Sequence, residues 1–382
     1  MNFDLTDEQK MVRDMARDFA REVIAPRAEE MNRTGEYPYA ILNQMAELGM
    51  MGIPFPEEYG GSGGDWVSLH LCLEEIARAD APVAACLEVT TSVVGEELYT
   101  FGTPEQKQKW LAPLARGEII GAFGLTEPDA GSDAGSLKTT AVLKGDEYIL
   151  NGTKQFITNI GLDNCPIVLI AAQSGRNEKG KTVISTFIVP KDAPGFNLGQ
   201  RYDKMAWHAS ATHEIILEDC RVPRANLLGD PNRGFAQHLA ALQTGRISIA
   251  AVAVGLAQAC LDQALAYSKQ RVQFGQPIFN FQAVGFKLAD MTVAIELART
   301  LYLKAAWLKD QGRPHTFEAT AAKLFASEMV EKIASDALQI HGGYGYMNEY
   351  PVSRYYKGAK LLQIVEGTSE VQRLILHRLL GN

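Results

Sequence analysis

Apolar residues recur along this chain at two spacings, and the change from one to the other divides it into three zones. Val12, Ala16, Phe19 and Val23 fall three or four residues apart, the period of a helix with one buried face. Thr6-x-x-Gln9 just ahead of them has the form of a capping box. A second amphipathic stretch, 40–50, runs into Gly52-Ile-Pro-Phe-Pro, and the glycines of 60–64 mark a loop. Helices are predicted near 65–79 and 81–101, and Thr103-Pro-Glu-Gln106 predicts another capped start with proline at the first helical position.

Past residue 118 the runs become short and β-rich. Residues 141–143 and 148–150 flank Gly145-Asp146 and read as a hairpin, and Asn151-Gly152 is the strongest short hairpin signal of the chain. Runs at 167–171, 183–189 and 214–217 add strands, so a small barrel or sandwich is expected. Helical periodicity returns in 247–271, 281–311 and 317–340, with a last helix after Thr368, which predicts an antiparallel bundle. The expected architecture is α+β but mainly α: a helical domain over 1–118, a β domain over 119–225 and a helical bundle over 226–382.

Composition narrows the class. The chain has 382 residues, 46% hydrophobic and 21% charged, the profile of a globular protein with more than one core. A formal net charge of −8 argues against a general nucleic-acid binder. The five cysteines are scattered and form no Cys-x-x-Cys pair, which speaks against a disulfide framework or a zinc site and fits a reducing compartment. The N-terminus lacks the basic start and apolar run of a signal peptide and is acidic for a transit peptide. No apolar run approaches the roughly 20 residues of a membrane span. A cytoplasmic location is expected, or the mitochondrial matrix if a transit peptide has been removed. No His-Glu-x-x-His, Gly-x-Ser-x-Gly or Gly-x-x-x-x-Gly-Lys-Ser/Thr occurs, which removes the zincins, the common hydrolase elbow and the P-loop. No metal site is expected.

Four stretches carry candidate chemistry. Leu125-Thr-Glu-Pro-Asp-Ala-Gly-Ser-Asp133 is either a loop presenting Thr126, Ser132 and backbone N–H groups to a polar cofactor, or a turn with local Asx and Ser bonds. Phe156-Ile-Thr-Asn159 is either a support for a flat ring or ordinary strand core. Arg271-Val-Gln-Phe-Gly-Gln-Pro277 offers a guanidinium to a pyrophosphate, or to the helix C-terminus before it. Gln339-Ile-His-Gly-Gly-Tyr-Gly345 and Ile364-Val-Glu-Gly-Thr-Ser-Glu370 combine glycines with an acid, Glu366, outside regular structure. That acid either projects into a cleft or is solvated at a helix N-terminus, where Ser369-x-x-Gln372 suggests a capping box.

Taken together, in order and spacing, these stretches resemble the acyl-CoA dehydrogenase family, nearest its short-chain and butyryl-type members. The likeness runs from Phe3 to the last helix and includes Met51-Gly-Ile-Pro-Phe-Pro-Glu-Glu-Tyr-Gly-Gly-Ser-Gly-Gly64, Gly124-Leu-Thr-Glu-Pro128, Asn151-Gly-Thr-Lys-Gln-Phe-Ile-Thr-Asn159, 271–275 and 364–373. The resemblance implies bound FAD, an acyl-CoA substrate, an electron-transfer flavoprotein as electron acceptor and a homotetramer or dimer. It implies that Glu366 is the base that takes the α-proton while FAD takes the β-hydride. Thr126 and Thr158 match residues at the flavin ring, with Phe156 stacked nearby. Ser132 matches a position near the cofactor phosphates or the pantetheine. Arg271 and Phe274 match FAD-binding residues supplied by a neighbouring subunit. Gln339 and Gly343 match the stretch along the pyrophosphate, and Thr368 and Glu370 the AMP half. Arg246 and Gly367 match the substrate side of the centre. In some relatives the base lies on a bundle helix, at the position of Gly245 here; glycine cannot serve as a base, which leaves Glu366.

The chain departs from the family pattern in places. Val365 stands where many relatives have tyrosine, which hints at a wider pocket for a branched or cyclic acyl group. Lys357-Gly358 replaces Arg-Asp, read as a change of surface charge. Glu88 lies on a helix that often closes the acyl pocket and is expected to face solvent. A flavin oxidase or monooxygenase on the same fold, and a non-catalytic helical scaffold, remain open alternatives.

Overall fold

The computed structural model describes residues 4–381; residues 1–3, where the family likeness begins, and residue 382 lie outside them. The first zone is helical: α1 (Asp7–Phe19), α2 (Ala28–Thr34), α3 (Tyr39–Glu47), α4 (Trp66–Ala79), α5 (Ala81–Glu88), α6 (Glu96–Phe101), α7 (Pro104–Gln106) and α8 (Ala112–Ala115). The capping boxes read at Thr6 and Thr103 are both formed, each hydroxyl accepting from the N–H three residues on. A π-helical segment, Val89–Gly95, joins α5 to α6, so the helix expected over 81–101 is one irregular rod.

The strands are β1 (Gly121–Gly124), β2 (Thr140–Lys144), β3 (Glu147–Thr158), β4 (Ile167–Arg176), β5 (Thr182–Pro190), β6 (Phe196–Arg201), β7 (Thr212–Pro223) and β8 (Leu227–Leu228). They form a sheet in the order β6-β7-β3-β2-β4-β5-β8, with β1 parallel to β4. Tyr148 on β3 and Phe187 on β5 are not strand neighbours, yet their ring centroids lie 4.8 Å apart. The sheet therefore curls over buried residues that are continuous with the core of the helices. The hairpin around Gly145-Asp146 is present, with Lys144 opposite Glu147. Asn151-Gly152 is not a turn. It lies within the long strand β3, where the register against β7 slips between Leu150 and Gly152. The conformational tolerance of this pair serves a bulge, and Asn151 fixes it by accepting the Asp219 N–H at 2.8 Å.

The third zone contains α9 (Gly234–Gln270), the two-residue strands β9 (Val272–Gln273) and β10 (Gln276–Pro277), then α10 (Gln282–Asp310), α11 (Thr316–His341), α12 (Pro351–Ala359) and α13 (Ser369–Leu380). Alanine-rich α9 packs against α4, α10 and α11, with its apolar residues buried on every side from Ile247 to Leu256. It is long and apolar enough to cross a membrane, but 72% of its most apolar window is buried inside the fold. Arg299 of α10 donates to the Glu74 carboxylate of α4 at 2.7 and 3.0 Å, and the Tyr302 hydroxyl donates to the same group. This buried network binds the bundle to the first zone. All five cysteines are free and buried.

Candidate active site

The irregular turn between α12 and α13 forms the centre of the site. After the 3-10 turn Lys360–Gln363 the chain leaves the helix, and Glu366 and Gly367 take φ of 52° and 92°. Left-handed backbone is ordinary for Gly367 and strained for Glu366, which signals a position held for a purpose. The capping box expected at Ser369 is not formed. Thr368 is the N-cap of α13, its hydroxyl accepting the Val371 N–H at 3.3 Å. Gln372 instead turns back, and its amide donates to the carbonyls of Glu366 at 3.1 Å and Gly367 at 2.8 Å. A second donor, the ammonium of Lys323 on α11, reaches the Gly367 carbonyl at 2.8 Å. Every carbonyl of the strained pair is thus tied to the bundle.

The turn aims the Glu366 side chain at α9. Although the residue as a whole is only partly buried, its Oε2 is closed off from solvent and has no hydrogen-bond partner. It lies against Gly245: a β-carbon added there would fall 2.1 Å from Oε2. Glycine at this position is what gives the carboxylate its room. Arg246, the next residue, is buried with its Nε unpartnered, and its guanidinium favours the charged form of Glu366.

Glu88 does not face solvent. Only 2% of it is exposed, its Oε1 has no partner, and its carboxyl is a neighbour of that of Glu366. The helix explains the burial: Ala81–Glu88 is apolar on all sides, so no polar face exists to carry a glutamate outward. Burial, then the neighbouring Glu366 charge, hold the Glu88 carboxyl well above the ordinary carboxylate range. Burial also raises Glu366, but the Glu88 carboxyl, Arg246 and Lys323 pull it back. Of the two, Glu88 is therefore the carboxyl held more strongly in its protonated form, while Arg246 and Lys323 favour the charged form of Glu366.

A second group sits at the end of β3. The Gln155 N–H donates to the Thr126 carbonyl at 2.9 Å, which joins the two stretches that carry Thr126 and Thr158. Beneath them Lys154 and Glu127 form a buried ion pair at 2.7 Å, and Glu127 also accepts the Lys138 and Thr139 N–H groups. Burial brings Lys154 down to about 8. Phe156 has φ of 60°, is 60% exposed, and its ring lies 4.9 Å from that of Tyr202. The side chain of Asn159 donates to the Cys86 carbonyl at 3.2 Å and to Thr90 Oγ1 at 3.3 Å, on either side of Glu88 in sequence. The β3 end is thereby docked on the rod that carries the carboxyl pair.

A third group is at the far end of α9. Arg271, Gln273, Gly342, Gly343 and Tyr344 border an open cavity of about 510 Å³. The Arg271 guanidinium lies 5.6 Å from the Tyr344 ring centre. Phe274, at φ of 50°, projects with 93% of its surface exposed. Gln339 is exposed and does not line this cavity. Ser132 sits on an exposed turn, and Glu370 in the first turn of α13. Among the described residues no cluster of three or more His, Cys, Asp or Glu is arranged to hold a metal.

Three family models cover the chain in this order. The acyl-CoA dehydrogenase N-terminal domain matches residues 6–118, the middle domain 122–220 and the C-terminal domain 232–381. The chain belongs to the acyl-CoA dehydrogenase family. It is an oxidoreductase of a family whose members are flavoproteins. It is 56% identical over 378 residues to "Probable acyl-CoA dehydrogenase YngJ" of Bacillus subtilis (strain 168), covering 99% of both chains. Among solved structures it is similar to butyryl-CoA dehydrogenase from Megasphaera elsdenii, with 44% identity, a TM-score of 0.97 and complete coverage of both chains. It is also similar to a chain solved in work on the electron transferring flavoprotein of Acidaminococcus fermentans, with 46% identity and a TM-score of 0.96 over 100% of this chain and 99% of that one.

Within this acyl-CoA dehydrogenase the residues singled out from sequence fall into separate groups. Glu366, Gly367 and Arg246 meet at one point; Thr126, Phe156 and Thr158 at another; Arg271 and Gly343 at a third. Sequence reasoning missed Lys323 and Asn159 and misjudged Glu88. The signal for two of them was present: an isolated Glu and an isolated Lys, each inside an otherwise apolar helical run. Gly358 was also misread. It is buried, and a β-carbon there would fall 2.8 Å from Trp207 Nε1, so its smallness makes room for the indole and has nothing to do with surface charge.

Proposed function

We propose that this acyl-CoA dehydrogenase binds FAD and forms the trans-2-enoyl-CoA from a short straight, branched or cyclic acyl-CoA, with Glu366 as the base. The single observation that carries the reading is the Glu366 carboxylate: enclosed, one oxygen unpartnered, held on strained backbone in the space left by Gly245. A buried acceptor without a donor is costly unless something else meets it, and the acidic α-carbon of a thioester is such a partner.

The residues present fit FAD. Its flavin ring would lie by Thr126, Thr158 and the exposed Phe156, its pyrophosphate by Arg271 and the open glycine backbone at 342–343. Gln339, Thr368, Glu370 and Ser132 are assigned to the remainder of the cofactor and CoA by family likeness. The exposure of Phe274 agrees with its completing the site of a neighbouring subunit in a homotetramer or dimer. When bound, FAD supplies the acceptor for the hydride that leaves the β-carbon.

The chain's own part is proton chemistry and placement. Water is kept from the Glu366 carboxylate by the packed helices around it. Burial raises its basicity towards that needed for a weakly acidic C–H, and each unit of match is worth about 1.4 kcal/mol. Glu88 holds the neighbouring proton, so one charge, not two, occupies the pocket. The Glu366 backbone N–H is assigned to the thioester carbonyl oxygen, where charge develops as the proton leaves. The butyryl-CoA dehydrogenase likeness supports a short acyl group. The likeness to the chain from the electron transferring flavoprotein work supports such a protein as electron acceptor. A cytoplasmic location accompanies this reading.

The test is Glu366→Gln. The variant keeps FAD and binds acyl-CoA, while kcat falls by about 10²–10⁴, the contribution of a positioned base. Near-wild-type turnover would remove Glu366 from the role. Rapid reaction of the substrate-reduced protein with oxygen would favour the oxidase reading.

A further inference from the structure

Four buried titratable groups, Glu366, Glu88, Arg246 and Lys323, meet at the turn that carries Glu366, and Lys323 has no part in the reaction as derived above. Lys323 projects from α11 into the packed interior and is fully buried. Its ammonium donates to a peptide carbonyl, that of Gly367, and among the described residues makes no direct ion pair with a carboxylate. This is a poor arrangement for stability. A buried ammonium loses its hydration, and a neutral acceptor returns little of it. The cost is visible in the group itself, which burial brings down to about 8. A methionine would fill the same volume without that loss.

What the position offers is leverage on Glu366. Gly367 sits at φ of 92° directly after the strained Glu366, and its carbonyl is gripped from two elements, by Lys323 of α11 and Gln372 of α13. The peptide plane between Gly367 and Thr368 is therefore fixed on both sides. The groups facing Lys323 are Glu366 in the turn, Glu328 on its own helix and Glu370 on α13, which favour its charge, and Arg246 on α9, which opposes it. Those facing Glu366 are Glu88, Arg246 and Lys323.

We propose that Lys323 is a positioning residue for the reaction: its ammonium locks the left-handed turn that aims the Glu366 carboxylate and places a second cation behind it. The inference rests on Glu366 being the base. Arg246 faces the Glu366 carboxylate from α9, on the side of the pocket. Lys323 supplies the second cation, from behind the turn, where it does not occupy the acyl pocket.

The two parts of the role separate in two variants. Lys323→Gln keeps an N–H for the Gly367 carbonyl and removes the charge. Lys323→Met removes both. The acid limb of kcat/KM against pH, measured on FAD-loaded protein, moves up in both variants by about one unit, the effect of losing a nearby opposite charge. At pH well above that limb Lys323→Gln recovers wild-type kcat, while Lys323→Met stays at least about 10-fold lower because the carboxylate is no longer aimed. FAD content and the flavin absorption spectrum remain those of the wild type in both. An unmoved acid limb in both variants overturns the proposal, and so does failure of both to fold and bind FAD, since the residue then has only a structural role. If Lys323→Met alone does not fold, Lys323→Gln carries the test. The separate outcome in which Glu366→Gln retains turnover overturns the assignment of the base instead.

Discussion

At the scale of single residues, the account turns on which carboxyl holds the proton. Glu88 is raised above its unfolded-state value, so the folded protein holds a proton that the unfolded chain releases above about pH 4.3. That contribution to stability is complete below this pH and is lost as pH rises through the folded value. At neutral pH the group is a net cost. Glu88→Gln keeps the shape and the donor, so its Tm exceeds the wild type by roughly 2 °C at pH 7, with no gain near pH 4. An equal shift at both pH values would contradict the proton assignment. Glu88→Leu removes the donor beside Glu366, so the acid limb of activity moves to higher pH, whereas in Glu88→Gln it stays close to the wild type. Gly245→Ala places a β-carbon 2.1 Å from Glu366 Oε2. Its kcat is expected to fall at least about 10-fold with FAD content unchanged, because a displaced base loses its attack geometry. Locally, Glu366 stood out only as an acid beside Gly367 at a helix start, which left a cleft and a solvated terminus both open; the family resemblance implied the base. Glu88 was misread because a lone charge on a helix was weighed by its type and not by the apolar run around it. Nothing local in sequence marks the approach of Glu366 to Gly245, since they lie 121 positions apart and only the packed bundle joins them.

At the scale of elements, the loop of Thr126 and the end of β3 act as one unit through the buried Lys154–Glu127 pair. Removing one partner leaves the other charge buried, so Lys154→Met is expected to destabilise by about 3–5 kcal/mol. The Glu127→Gln/Lys154→Met double variant is expected to recover much of that loss. Thermal unfolding and FAD retention of the two proteins check this; a double variant no better than the single one would contradict a charge-pair role. Helices were well foretold, because long apolar periodicity and capping residues are local signals: both predicted Thr–Gln boxes formed. The Asn151-Gly152 error has a physical origin. The backbone freedom that makes Asn-Gly a turn also makes it a bulge, and the pairing of β3 with β7, set by distant residues, decides between them.

At the scale of the molecule, α10 carries an uncovered apolar strip, with Phe286, Val293 and Leu297 on one face and each more than half exposed. Together with the projecting Phe274, this supports the proposed homotetramer or dimer. Sedimentation of the native protein is expected to give a multimer, and Val293→Asp/Leu297→Asp a smaller species that holds FAD less tightly. A monomeric wild type with full FAD would contradict it. The central claim, that this member of the family oxidises a short acyl-CoA through its flavin, has a direct test. The purified yellow protein is titrated without oxygen with butyryl-CoA, branched and cyclic short acyl-CoAs, and medium- and long-chain acyl-CoAs, and its flavin absorbance is followed. Bleaching by one of the short classes is expected, with Glu366→Gln remaining yellow under the same additions. A wild-type protein that none of the short acyl-CoAs bleaches, or a Glu366→Gln protein that bleaches as fast, would contradict it.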